Sequence, residues 1–302
     1  MIDVKGLCKG YGGKNGYVVQ DINMKVEKGT IHGLIGHNGS GKTTIIKCLT
    51  GIFPPDAGEV LLEGEPVYNN VPIKSRIGYV ADTNQMFYNY RMKKMAEFYQ
   101  DVYSDFIMED YKRLAQIFLV DSNKKVSQMS KGQQMRASFV LNMARHPEVM
   151  ILDEPTAGLD AMAKKELLDC LVNAVENDNM TVLISSHHLS ELEKVCDTIT
   201  VINQGKVQIE DAIDEVTGQI VKYQLVFISG APSELYARND VCHMANVGSV
   251  YTVVLQKRDA EFEQQMRELG ASLVEEMPVG LEESFIYMNK GKNYMRGGVN
   301  NE

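Results

Sequence analysis

The 302-residue sequence has no apolar run approaching the roughly 18–20 residues that a membrane-spanning helix requires. Excess positive charge is missing too: 31 Lys and Arg stand against 40 Asp and Glu, a formal net charge of −9. Nucleic acid is therefore not expected as a partner, because phosphate backbones are held by clustered cations. Paired cysteines are also lacking. Cys8, Cys48, Cys170, Cys196 and Cys242 are odd in number, scattered, and form no C-x-x-C, so neither a disulfide framework nor a zinc site is expected. The opening residues MIDVKGLCKG carry Asp3 and no apolar stretch, so no secretory leader is expected. A cytoplasmic location is the simplest expectation. The chain is not poor in core-forming residues: 44% are apolar, enough for a folded protein, and the length allows two domains.

Residues 2–7 and 18–27 alternate apolar and polar, as strands with one exposed face do. Residues 30–35 form a short apolar strand that ends in a glycine-rich loop. Helical spacing follows, with Ile45, Ile46, Leu49 and Ile52 on one side, and Pro54-Pro55 is expected to stop that helix. From about 86 to 146 the pattern is helical and rich in methionine and aromatics. Val149–Leu152 is a continuous apolar run, the mark of a strand buried on both faces of a parallel sheet. Residues 181–185 and 198–202 repeat that character. Strands alternating with helices predict an α/β domain over 1–220 with a helical subdomain at about 85–146. A smaller α+β unit is expected over 221–288, with strands near 223–228 and 250–255 and helices at 233–238 and 259–269. Residues 289–302 are expected to form a disordered tail.

Gly36-His37-Asn38-Gly39-Ser40-Gly41-Lys42-Thr43 fits G-x-x-x-x-G-K-[ST] at every fixed position. Glycines let successive backbone N–H groups turn toward phosphates, and the helix that follows points its positive N-terminus at them. Lys42 is placed to reach the β- and γ-phosphates of ATP, with Thr43 as a Mg²⁺ ligand and Thr44 continuing the loop. The Val149–Leu152 strand delivers Asp153 and Glu154. Asp153 is the candidate partner of Mg²⁺ through water, and Glu154 the candidate general base for the attacking water.

Met129-Ser130-Lys131-Gly132-Gln133-Gln134 resembles the signature L-S-G-G-Q of the ATP-binding subunits of ABC transporters. Further resemblances run in the family's order. Tyr11 resembles the adenine-stacking aromatic, Ala157-Gly158-Leu159-Asp160 the D-loop, and Ser185-Ser186-His187 the switch-histidine segment. The resemblance covers residues 1–215. It implies a P-loop ATPase core with an antiparallel β layer and a helical subdomain. It also implies a head-to-tail dimer, homodimeric or heterodimeric. In that dimer Ser130, Lys131, Gly132 and Gln133 complete the partner's ATP site, Asp160 crosses the interface, and His187 contacts the γ-phosphate of its own site. The implied partner is an integral membrane permease, which holds the subunit on the cytoplasmic face of the membrane. Gly280–Met288 resembles the close of the C-terminal extension of ABC-2-type exporter ATPases, which points to export.

Two departures bear on mechanism. Lys131 replaces a signature glycine and either adds a phosphate contact or points to solvent. Asp82 stands where the family has a Mg²⁺-sensing glutamine, with Gln85 nearby as a substitute. Two other readings remain: a soluble ABC protein acting on ribosomes or DNA, and a nucleotide sensor that does not hydrolyse. One P-loop in one chain argues against the first, and intact Lys42, Asp153, Glu154 and His187 against the second.

Overall fold

The computed structural model describes residues 1–12, 16–83 and 86–294; Gln85 and the last eight positions of the expected tail lie outside them. Residues 1–188 and 194–210 form one compact unit, and residues 189–193 with those from 211 onward form another.

The first unit is an α/β core built on two sheets. Strands β1 (Ile2–Lys9), β2 (Val19–Val26), β4 (Ala57–Leu62) and β5 (Glu65–Pro66) make an antiparallel layer in the order β2-β1-β4-β5. Strands β3 (Ile31–Ile35), β6 (Ile77–Val80), β7 (Val149–Asp153), β8 (Thr181–Ser186), β9 (Thr198–Asn203) and β10 (Lys206–Ala212) make the central sheet. Its order is β10-β9-β3-β8-β7-β6, parallel from β9 to β6. Every residue of β3, β7 and β8 is buried, including the polar His32, Thr181, Ser185 and Ser186.

Helix α1 (Lys42–Leu49) packs Ile45, Ile46 and Leu49 into one cluster with Leu7, Ile22 and Leu62 of the antiparallel layer and Ile151 and Leu183 of the parallel sheet. Each such side chain contributes about 1.5–3 kcal/mol when fully buried. The helix stops earlier than expected, however. Thr50 caps it and Gly51 turns out at φ +64°, so Pro54-Pro55 is not the terminator and Ile52 lies exposed beyond the helix.

Helix α2 (Val71–Ser75) leads into β6, and α3 (Met92–Val102), α4 (Met108–Ile117) and α5 (Lys131–Met143) follow. The end of α5 is fixed to β6 by buried polar contacts. The Asn142 amide accepts from Tyr79 N at 3.2 Å and donates to Tyr79 O at 3.1 Å, while Arg145 donates to Ile77 O and Ser75 O. The Arg145 guanidinium also lies 3.6 Å from the centre of the Tyr103 ring. Helix α6 (Ala161–Asp178) then connects β7 to β8.

The second unit carries α7 (Leu189–Leu192), α8 (Ile213–Gly218), β11 (Val221–Val226), α9 (Ser233–Tyr236), β12 (Val241–Val247), β13 (Val250–Leu255), α10 (Phe262–Glu268), β14 (Leu273–Met277) and α11 (Leu281–Tyr294). Its antiparallel sheet runs β12-β13-β11-β14, and Tyr223, Leu225, Val253, Phe262 and Met266 form its core. It begins at Asp211 rather than near 221, because α8 packs with α11. Helix α11 continues to Tyr294, so residues 289–294 are helical where a disordered tail was expected.

His32 on β3 is fully buried, its two ring nitrogens hydrogen-bonded to the hydroxyls of Thr198 at 2.7 Å and Thr200 at 2.8 Å. Burial pulls its pKa down from 6.5 to about 4. The imidazole of the unfolded chain gains a proton as pH falls through 6.5, and the folded one resists until about 4. Stability from this group is therefore complete above pH 6.5 and is lost as pH falls toward 4. At about 1.4 kcal/mol per pH unit the span is about 3 kcal/mol. In urea unfolding, the stability difference between the wild type and a His32→Gln variant should shift by about that amount between pH 7 and pH 4. A difference independent of pH would contradict it.

Candidate nucleotide-binding site

Strands β7, β8 and β3 lie side by side and parallel, with Asp153 opposite Ser185 and Ile35 opposite Ser186. Three segments therefore leave the sheet at one edge: Gly36–Thr43 after β3, Glu154 after β7, and His187 after β8. The carboxyl ends of parallel strands are where such sheets bind ligands.

The loop needs its glycines. A Cβ on Gly36 would stand 2.4 Å from Ser40 Oγ and 2.5 Å from Ile202 O. Gly41 adopts φ +112°, and a Cβ there would meet Val19 Cγ1 at 2.5 Å. A cleft of about 230 Å³ opens over the loop, lined by Val18, Asn38 through Thr44, Asp82 and Glu154.

Lys42 is 6% exposed, and its ammonium donates to Gly36 O at 2.5 Å and His37 O at 3.4 Å. It also pairs with Glu154 Oε1 at 3.1 Å. The other oxygen of Glu154 lies 2.8 Å from His187 Nδ1, so this one carboxylate bridges the loop lysine and the histidine after β8. Glu154 sits in the left-handed region at φ +51°, a strained conformation that costs a non-glycine residue on the order of 1 kcal/mol. Ser185 holds the turn in place: its hydroxyl accepts from Glu154 N at 3.0 Å and donates to Asp153 Oδ1 at 2.8 Å.

Asp153 is 1% exposed. Burial raises its pKa, the charges of Glu154 and Asp82 add to that, and hydrogen bonds from Ser185 and Thr43 oppose it. Such a carboxylate, beside the Thr43 hydroxyl, is the oxygen donor set that suits a small hard cation. Ser40 Oγ is buried with no hydrogen-bond partner, and Ser40 lines the cleft. The residues present therefore fit Mg²⁺ and phosphate.

Other expected residues lie nearby or apart. The Tyr11 hydroxyl pairs with Thr44 Oγ1 at 2.9 Å, its ring set edge-on to Phe53 and otherwise exposed. His37 is turned onto Asn38 O and Asn203 Oδ1, contacts that raise its pKa, and it does not line the cleft. Ser130 caps α5, its hydroxyl accepting from Gln133 N while Gln133 Oε1 accepts from Ser130 N. Gly132 comes so close to Gly158 that a Cβ would stand 3.0 Å from its carbonyl. Asp160 caps α6 through Ala163 N at 2.9 Å, which lowers its pKa. None of these four lines the cleft of its own chain. Lys131 does approach it, because its ammonium lies 2.5 Å from Asp82 Oδ1 in an ion pair that remains open to solvent. The sequence places Ser185 only within the switch-histidine segment; its bonds to Asp153 and to the Glu154 backbone come from the register of β8 with β7 and have no local signal.

A phosphate loop, a strand-borne carboxylate pair and a histidine on one edge of a parallel sheet define a P-loop ATPase cassette. Residues 19–157 match the family described as ABC transporter. The ABC transporter ATP-binding protein YtrB of Bacillus subtilis (strain 168) is 30% identical over 292 residues, 97% of this chain and 99% of that protein. The lantibiotic transport ATP-binding protein SrtF of Streptococcus pyogenes is 31% identical over 75% of this chain and 98% of its own length; relatives named for methionine import match as well. A dimeric post-hydrolysis structure of the ATP-binding cassette MJ0796 with ADP and Pi shares the fold, with a TM-score of 0.65 at 21% identity over 70% of this chain and 98% of that one. The chain belongs to the ABC transporter ATP-binding proteins, the ATP-hydrolysing subunits of transporters. Among the described residues no helix is long and apolar enough to cross a membrane.

Ser185→Ala leaves a buried carboxylate oxygen and the Glu154 N–H without their shared partner. It should lower unfolding free energy by about 1–3 kcal/mol, measured by urea denaturation. An unchanged midpoint would remove Ser185 from this role.

Proposed function

We propose that the chain is one half of a head-to-tail, ATP-driven dimer, formed with a second copy or a related subunit, that powers export through a separate integral membrane permease. The observation that carries the chemistry is the bridge from Lys42 through Glu154 to His187. ATP phosphates entering the loop meet its N–H groups and the Lys42 ammonium, and Lys42 exchanges Glu154 for phosphate oxygens. Glu154 keeps His187, which holds the carboxylate toward the γ-phosphate, and Oε1 becomes free to accept a proton from water. The water oxygen bonds to the γ-phosphorus as the bond to the bridging oxygen breaks, leaving ADP and inorganic phosphate. Thr43 and Asp153, with Asp82 behind them, would hold Mg²⁺, which when bound neutralises the phosphate charge. Tyr11 offers its exposed ring face to adenine.

Ser130 to Gln133 and Asp160 serve the partner subunit's nucleotide in this reading, supported by their absence from the lining of their own cleft. The N–H groups of Lys131 and Gly132 open α5 without intrahelical acceptors and suit a phosphate.

The permease contact is proposed at the segment from Asp82 to Tyr103, which places the chain peripherally on the cytoplasmic face of the membrane. Phe87 there is 51% exposed and packs against Tyr90 at 5.1 Å and Phe98 at 5.4 Å. Exposed aromatics grouped in this way favour a docking partner. Export rests on the resemblance of Gly280–Met288.

Glu154→Gln should retain ATP binding, slow turnover by about 10²–10⁴-fold, and accumulate an ATP-bound dimer. Turnover at the wild-type rate would exclude Glu154 as the base. Phe87→Glu should abolish co-purification of a multispan membrane protein while basal ATPase activity persists. Recovery of ribosomes or DNA with the wild-type protein would instead promote the soluble reading.

A further inference from the structure

Asp82 and Lys131 are the two departures from the resembled pattern that carry charge, and 49 residues apart in sequence they meet at 2.5 Å. Lys131 is the first residue of a 13-residue helix whose first turn has no acidic side chain. A cation there opposes the helix dipole, which is positive at its N-terminus. Asp82 supplies the missing anion from outside the helix, two residues past the end of β6. It also lines the nucleotide cleft with Lys42, Thr43 and Glu154, an edge that already carries two carboxylates. Lys131 offsets the repulsion that a third would otherwise add.

The two ends of α5 are held differently. Buried hydrogen bonds from Asn142 and Arg145 fix the far end to β6. The near end carries an ion pair whose partners are 59% and 41% exposed, beside hydrogen bonds from Lys124 to Gln133 and from Gln134 to Val126 O and Met129 O. Opening the first would strand buried polar groups, whereas opening the ion pair costs little.

We propose that Asp82 is an internal stand-in for phosphate. Asp82 holds the Lys131 ammonium, and the γ-phosphate of the partner subunit's ATP takes its place when the dimer closes. The inference rests on the head-to-tail reading above and adds two roles to it: Lys131 is a phosphate contact in trans, and Asp82 is its positioning residue and competitor. Each chain thus holds its own signature cation back until a better anion arrives.

The test uses the full chain carrying Glu154→Gln, with ATP-driven dimerisation followed by light scattering and backbone amide exchange followed at residues 131–134. Adding Asp82→Asn should lower the ATP concentration needed for dimerisation by about two- to fivefold, the range an exposed ion pair supports. It should also speed amide exchange at the start of α5 without nucleotide. Lys131→Gly should raise the ATP requirement, and in that background Asp82→Asn should no longer lower it. The exchanged pair, Asp82→Lys with Lys131→Asp, should restore slow amide exchange yet block dimerisation, because a carboxylate then faces phosphate. An effect of Asp82→Asn that is equal with and without Lys131, or no effect at all, overturns the inference and leaves the composite site standing. Absence of any ATP-driven dimer in the Glu154→Gln protein itself overturns both.

Discussion

The in-register parallel pairing of β7, β8 and β3 is the constraint on which the rest of this protein depends. Three buried strands must end together for the Gly36–Thr43 loop, the carboxylate pair and His187 to share one edge. Register is protected here because all three strands are buried on both faces, and a slip would leave ladder groups unpaired in a dry core. The Ser185 hydroxyl then converts that register into chemistry, joining Asp153 to the backbone of Glu154. The strained turn at Glu154 persists because these contacts over-determine it.

Charge at this edge is arranged as competition. Lys42 is shared between two loop carbonyls and Glu154, and Lys131 is held by Asp82. Lys42 sits nearly buried and Lys131 half-exposed, so solvent screens the second pairing far more than the first.

The helical segment links that edge to a partner surface. Helix α5 is fastened to β6 through Asn142 and Arg145, and Arg145 in turn lies on the Tyr103 ring of the aromatic cluster that includes the exposed Phe87. A change at Asp82 therefore has a packed route toward the surface proposed to receive the permease.

Much of this was legible in the residues themselves. The phosphate loop, the Asp153-Glu154 pair and the buried strands are local patterns, fixed by spacing, glycine geometry and unbroken apolar runs, and they fall where the sequence places them. Other features followed only from the tertiary structure. The helix after the loop ends at Gly51 because the chain must turn between two sheets, not because two prolines follow. Helix α11 extends to Tyr294 through residues that composition alone marks as a tail, and α8 joins the second unit through its packing with α11. Asp82 and Lys131 read in sequence as two separate oddities; sheet order and the placement of α5 make them one ion pair. Neighbouring residues determine periodicity and turns, but which distant charges meet is decided by strand order and helix packing, and no local pattern encodes those.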